Sequence, residues 1–458
     1  MCLFTSNANA DQTAKPRVIV MTDGEVDDRC SMVRFLLYTN DVDLVAIIQT
    51  NSVYQGKGWS SSKWLEKEIE AYGQSHSNLV VHDPSYPSAN DLKSKVLIGD
   101  EDPSHLAVDI FSNRRIPGTK PVIDPSGWAD TPGSEKIVQT LLEDDPRPVY
   151  IQAWGGANTA AKAFYKLKKD YPSDYDRALS KAVLYNIWYQ DGAGNYIEQY
   201  FPEVTMLLSF HFNDSWAYGT QQYTGNFVKD IVHARGALGA LYVQNYISEG
   251  DSPAFLYSLP TGLRSSENPT FGGWGGIFYK VDGFKNVYRD YDAGSYIRWI
   301  EFANRDFETR LNWCLAGKYK DANHKPVISI KGGFDRIVKS GETVVLEAEI
   351  SDKDSINAAD LWKNLSQLYE QQGVDFKTFE LNISRMPKFS SIWWHYKEAG
   401  TYPKVVETSD QNQNKISFVA PSVDKPETIH LIFQVTDKGS PALTGFARVI
   451  ITVLPKKQ

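Results

Sequence analysis

Val18-Ile19-Val20-Met21-Thr22-Asp23-Gly24-Glu25-Val26-Asp27-Asp28 runs four apolar residues straight into a turn that carries four carboxylates within six positions. The apolar run reads as a buried strand, and the helical spacing from Asp28 through Leu37 makes the acidic stretch a strand-to-helix turn. Two readings of the acids compete. In one, Asp27 or Asp28 caps the helix and the macrodipole holds the other acids in solvent. In the other they converge on a hard divalent cation, because burying even two without a counter-charge costs on the order of several kcal/mol each. Calcium suits such a set, since it takes about 6–8 oxygen ligands drawn from carboxylates, main-chain carbonyls and water.

Outward from this turn, strand and helix patterns alternate over residues 16–317. Leu44-Val45-Ala46-Ile47-Ile48-Gln49-Thr50, Val149-Tyr150-Ile151-Gln152-Ala153 and Ala182-Val183-Leu184-Tyr185-Asn186-Ile187 are strand-like, and 61–72 and 133–142 have helical spacing. Parallel strands need crossovers, so the alternation predicts an α/β fold, a mostly parallel sheet with helices on both faces. Ligands then collect beyond the carboxyl ends of the strands. Asp23, Thr50-Asn51, Asn158 and Asn186 all fall there.

Residues 318–325 are polar and aperiodic, which suits a linker, and the pattern then changes. Stretches 327–330, 343–350, 430–435 and 447–453 are strand-like with little helix between them, which predicts an all-β immunoglobulin-like sandwich over 326–458. Consecutive strand residues face opposite ways, so of Trp393 and Trp394 one enters the sandwich core and the other faces outward, toward a ligand or, in the favoured reading, the first domain. Asp352-Lys353-Asp354 and Asp437-Lys438-Gly439 read as ordinary turns, or as calcium loops of the cadherin kind.

Thr22-Asp23-Gly24-Glu25-Val26-Asp27-Asp28 resembles the Asp-Pro-Gly-x-Asp-Asp signature of the inosine-uridine nucleoside hydrolases, with Gly24 for the proline and Glu25 for the glycine. Trp154-Gly155-Gly156-Ala157-Asn158-Thr159 is similar to that family's Gly-Pro-x-Thr-Asn strand end, and Gly250-Asp251-Ser252-Pro253 to its His-Asp-Pro stretch. Gly272-Gly273-Trp274-Gly275-Gly276 and Trp393-Trp394-His395-Tyr396-Lys397-Glu398 resemble the cellulose-binding Sde182-like subgroup, in which a nucleoside-hydrolase-like domain precedes an immunoglobulin-like one. The resemblance implies a Ca²⁺ site formed by the side chains of Asp23, Asp28 and Asp251 and the main chain of Asn158. It also implies that Asp23 takes a proton from water and that Asp27 grips a sugar.

Composition narrows the partners. A formal charge of -8 argues against nucleic acid, whose phosphates call for a basic footprint. No apolar run approaches about 18 residues, so no membrane span is expected. Met1-Cys2-Leu3-Phe4 followed by Ala8-Asn9-Ala10 reads as the end of a secretory leader or as a disordered terminus within 1–15. The first of these points to a secreted or periplasmic protein. Cys30 and Cys314 lie far apart and read as buried thiols. Nothing in the chain reports an oligomeric state.

The remaining candidates surround the strand ends. Asn51 suits a sugar hydroxyl or a turn, and His82 either the same crevice or a solvated loop. Asn186 ends a strand. Asn195 and Glu198 sit in a stretch of glycines, amides and aromatics typical of binding loops. Trp274, among four glycines, either presents its indole to a ligand or packs where the backbone crowds. Glu25 and Glu198 are the two candidates for a general acid. Together these features predict a metal-dependent hydrolase of glycosides or glycans, with Asp23, Glu25, Asp27 and Glu198 as catalytic candidates and a carbohydrate as partner. A carbohydrate-binding protein on a retired hydrolase scaffold and a nucleoside hydrolase are the alternatives.

Overall fold

The computed structural model describes residues 14–107, 117–219, 226–354, 358–385, 388–409 and 411–456, so the leader-like segment and Cys2 lie outside the described residues. The first part is built on β1 (Arg17–Thr22), β2 (Asp43–Gln49), β3 (Val96–Ile98), β4 (Val149–Ala153), β5 (Ala182–Ile187), β6 (Thr205–Ser209), β7 (Tyr279–Lys280) and β8 (Val287–Arg289). They form one sheet in the order β3-β2-β1-β4-β5-β6-β8-β7, parallel throughout except for the β7–β8 pair.

Strand alternation explains how this sheet is covered. Val18 and Val20 point into one apolar cluster, while Ile19 and Met21 point into the other. The helices Val26–Leu36, Trp64–His82, Ser252–Ser258 and Gly294–Trp313 close the first face with Phe35, Leu65, Phe255 and Trp299. The helices Pro132–Leu142, Asn158–Asp170 and Ala193–Tyr200 close the second with Ile137, Phe164 and Ile197. Each large apolar side chain so buried contributes about 1.5–3 kcal/mol. The helix Ala193–Tyr200 occupies a stretch that the sequence reads as a binding loop.

The strand order reverses between β1 and β4, because the chain moves outward through β2 and β3 before returning to β1's other side. Met21 pairs with Ala153, and Ala153 with Asn186, so the loops after β1, β4 and β5 leave the sheet level with one another. A crevice opens where adjacent loops diverge at such a reversal.

The second part comprises β9 (Val327–Ile330), β10 (Asp335–Lys339), β11 (Thr343–Ser351), β12 (Ser390–His395), β13 (Lys415–Val419), β14 (Glu427–Thr436) and β15 (Thr444–Leu454). Sheets β10-β15-β14-β12 and β13-β11-β9 enclose a core that includes Leu346, Trp393, Phe433 and Val449. The strand pairings are antiparallel apart from β10 with β15. Two helices that the strand pattern does not announce, Ala358–Glu370 and Phe376–Arg385, lie between β11 and β12, where Trp362 packs on Phe379 at 5.1 Å.

Trp393 is fully buried in the sandwich, while Trp394 faces the other way onto Trp299 of the first part, with ring centres 6.1 Å apart. Residues 318–325 are packed between the two parts. Tyr319 stacks on His324 at 3.6 Å, and the Asn323 amide donates to Asp437 at 3.0 Å. Asp354 accepts from His324, and Asp437 also accepts from the amides of Gly439 and Leu443, so both acidic loops have their carboxylates engaged in hydrogen bonds. Cys30 and Cys314 are buried free thiols. No described helix is long and apolar enough to cross a membrane.

Candidate functional site

The acidic turn after β1 places Asp23 in the loop and Asp27 and Asp28 in the first turn of the helix Val26–Leu36, all three buried. Asp28 is oriented by the Thr22 hydroxyl and by the Asp23 amide at 3.2 Å. Asp251, immediately before the helix Ser252–Ser258, arrives from more than two hundred positions along the chain. Oxygens of Asp27, Asp28 and Asp251 lie within 4.8 Å of one another. Asp23 is not one of this trio but adjoins it, since its amide donates to Asp28; a side chain on Gly155, in the loop after β4, would meet the Asp23 carboxyl at 2.8 Å, and one on Gly250 would meet Asp27 at 2.5 Å. Only glycine lets these backbones approach so closely.

The carboxylates are short of partners. Asp23 Oδ2, Asp27 Oδ1 and Asp251 Oδ2 are buried without a hydrogen bond. Burial, then mutual repulsion, raises the whole group: Asp27 stands at about 7 and Glu25 at about 8. Asp28 and Asp251 are pushed well above the ordinary carboxylate range for the same reasons. Asp23 is raised chiefly by burial. Orphaned, buried, all-oxygen and anionic, this donor set fits a hard divalent cation.

A neighbouring network brings the late aspartate into place. Arg34, on the same helix as Asp27 and Asp28, is fully buried and pairs through two nitrogens with Glu249, two residues before Asp251. Tyr242 and Ser252 donate the remaining hydrogen bonds to Glu249 at 3.0 and 2.9 Å, and Arg34 reaches Ala303 and Asn304. Neither Arg34 nor Glu249 stands out in the sequence, because a lone arginine on a helix and a lone glutamate in a loop carry no local pattern.

Beside the acids lies a pocket of about 170 Å³ lined by Glu25, Asp27, Tyr54, Ile187, Trp188, Gln190, Phe212 and Tyr218. Trp188 and Tyr218 hold left-handed backbones, at φ 56° and 49°. Such strain, on the order of 1–3 kcal/mol each, persists where surrounding structure imposes it, and it concentrates at functional sites. Trp188 also packs edge-on against Phe212 at 4.9 Å.

Several expected site residues are placed elsewhere. His82 ends a helix that begins beside Gly24, and 19 residues of helix carry it about 28 Å away. There it is buried, bonded to His324 and the Ala316 carbonyl and stacked on Trp313, so it is neither in the crevice nor solvated. Trp274 is 2% exposed and packs in the core, and Gly275 presses on the backbone of Pro253 and Tyr257. The glycines there serve close packing. Asn51 donates to the Gly56 carbonyl and accepts from Asn158, while Asn186 donates to Leu184 and Leu207 carbonyls. Both amides tie strand ends together. Asn158 is the first residue of its helix, so its carbonyl points along the helix axis and is unavailable as the expected main-chain ligand.

Glu198 accepts from the Gly118 amide, the Tyr189 hydroxyl and Asn195, which leaves Glu25 as the acid on the pocket wall. Asp191, unmarked in the sequence, accepts from the amides of Asn158 and Ala193 and is held at about 7 by burial.

Residues 17–278 match the family described as cellulose-binding Sde182, nucleoside hydrolase-like domain, and residues 387–453 match the cellulose-binding protein Sde0182 C-terminal domain. A nucleoside hydrolase-related hypothetical protein from Saccharophagus degradans, associated with carbohydrate metabolism, superposes with a TM-score of 0.78 at 26% identity, covering 96% of this chain and 100% of that one. The type III effector protein XopQ, complexed with adenosine diphosphate ribose, gives a TM-score of 0.38 at 10% identity over 66% of this chain and 95% of that one, too low to inform the site. No curated protein matches the chain. With the first match spanning more than half of its 458 residues, the chain belongs to the Sde182 nucleoside hydrolase-like family.

Proposed function

We propose that this chain is a calcium-dependent glycoside hydrolase that takes a sugar unit of a glycan into the pocket beside the aspartate cluster. The observation that carries the reading is the set of buried, unpartnered carboxylate oxygens on Asp23, Asp27 and Asp251, with Asp27 also on the wall of a pocket half lined by aromatic rings. Aromatic faces lie against the apolar faces of sugars, and carboxylates accept sugar hydroxyls. The family's association with cellulose binding, and the relative's with carbohydrate metabolism, support a glycan over a free nucleoside.

Asp27, Asp28 and Asp251 are the side chains that would hold the ion, with Asp23 beside them. A hard divalent ion supplies Lewis acidity and a more acidic water when bound. Asp23, with one oxygen unpartnered, is the group to take a proton from an attacking water. Asp27 shares the pocket wall and accepts ring hydroxyls, and its charge favours the positive character that develops at an anomeric carbon. Glu25 stands on the same wall, where a carboxylic acid can protonate a departing glycosidic oxygen.

The test is a reducing-sugar assay on oligosaccharides and nucleosides, with calcium and with a chelator. Chelator-sensitive release of sugar from an oligosaccharide is expected. Calcium and glycan bound without turnover would instead identify a binding protein, and free base from inosine or uridine would identify a nucleoside hydrolase.

A further inference from the structure

Gln190 lines the pocket together with Glu25 and Asp27 and is only 6% exposed. Its amide nitrogen donates to two main-chain carbonyls, those of Trp154 and of Ile187 at 3.0 Å. Two acceptors on that side fix which way the amide faces, since a flipped group would set its oxygen against both carbonyls. Its Oε1 is consequently left buried and without a partner. An unsatisfied buried acceptor is a standing penalty that a ligand hydroxyl removes.

Charge on the described lining of the pocket is one-sided. Glu25 and Asp27 line it, and among its described lining residues there is no lysine, arginine or histidine. Glu25, as a carboxylic acid, adds no charge, but Asp23, Asp27, Asp28 and Asp251 bring four carboxyls against the two charges of one divalent ion. An anionic ligand would enter a field of its own sign, poorly screened by water. A neutral polyol meets the acceptors of Asp27 and Gln190 and aromatic rings from Tyr54, Trp188, Phe212 and Tyr218.

We infer that the pocket selects an uncharged sugar unit against its uronate and phosphate counterparts, with Gln190 as the specificity-determining acceptor for one ring hydroxyl; this rests on the carbohydrate reading above. The experiment is calorimetric titration of the full chain with calcium present, using cellobiose and xylobiose and then the same disaccharides carrying a uronic acid or a sugar phosphate. The neutral disaccharides are expected to bind at least tenfold more tightly than the charged ones. Gln190→Met is expected to weaken neutral binding about tenfold and, because the Trp154 and Ile187 carbonyls lose their donor, to lower the melting temperature as well. Equal binding of neutral and charged sugars, or tighter binding of the charged ones, overturns the inference and leaves the carbohydrate reading standing. No binding of either kind overturns both. If Gln190→Met does not fold, the neutral-against-charged comparison on the native chain decides alone.

Discussion

Two groups of buried charge lie side by side under the same strand ends, built on opposite terms. Arg34 and Glu249 are both fully buried, and their charges and hydrogen bonds are matched through Tyr242, Ser252, Ala303 and Asn304. Asp23, Asp27, Asp28 and Asp251 are buried just as deeply, with three of their oxygens unpartnered. The difference separates architecture from function. A satisfied pair holds a helix and a distant loop in register, whereas an unsatisfied cluster leaves buried oxygen donors that could hold a cation.

The two groups part most visibly when the satisfied pair is broken. Arg34→Met strands Glu249 as an uncompensated buried charge, and about 3–5 kcal/mol of unfolding free energy is expected to be lost, measured by chemical denaturation. Asp251→Asn should do the reverse to the metal-free protein. It relieves repulsion, so the melting temperature without calcium does not fall, while calcium affinity measured by titration drops at least about 100-fold, or about 2.7 kcal/mol. A marked loss of metal-free stability in Asp251→Asn would mean that the cluster is structural.

A mirror case sharpens the point at the contact between the two parts. Arg448 is fully buried and has His430 at 3.1 Å and the Gly272 carbonyl as partners rather than a carboxylate. Burial, and then the neighbouring guanidinium, lower His430 to about 3. The folded chain keeps it neutral, while the unfolded chain takes up a proton below about pH 6.5. Stability from this group is therefore fully present above that pH and is lost as pH falls toward 3. By pH 4 the loss is on the order of 3 kcal/mol, and His430→Gln should flatten that acid limb in melts taken across pH. The smallest effect is expected from Glu198→Gln. Its carboxylate only joins Gly118, Tyr189 and Asn195, so metal and sugar affinities should stay within about 1 kcal/mol of the native values by calorimetry.

Legibility in the sequence followed the range of the interactions. The strand Arg17–Thr22, the acidic turn and the helix after it are local, and period and turn chemistry expose them. The two-sheet sandwich shows in alternation such as Val344, Leu346 and Ala348 on β11, but the helices Ala358–Glu370 and Phe376–Arg385 were hidden among polar residues. His82 and Trp274 misled because a histidine at a loop edge and a tryptophan among glycines look alike whether exposed or packed. Their partners, His324 and Trp313 for one and the backbone of Pro253 and Tyr257 near the other, are remote in sequence. Gln190 and Asp191 sat in plain view within a binding-like stretch. Which of its polar groups would be tied to backbone and which left facing a pocket depends on loops from β4 and β5 meeting.

By itself the sequence determined an α/β part with an acid-bearing turn at a strand end and a β-rich part after it, because strand and helix periods and turn chemistry act over a few residues. Only the tertiary structure decided that Asp251 joins Asp27 and Asp28, that Glu25 and not Glu198 reaches the pocket, and that Arg34 and Glu249 bring the two segments together. Charge, burial and hydrogen-bond satisfaction are set by whatever lies within a few ångströms, and here most of those neighbours come from more than a hundred residues away.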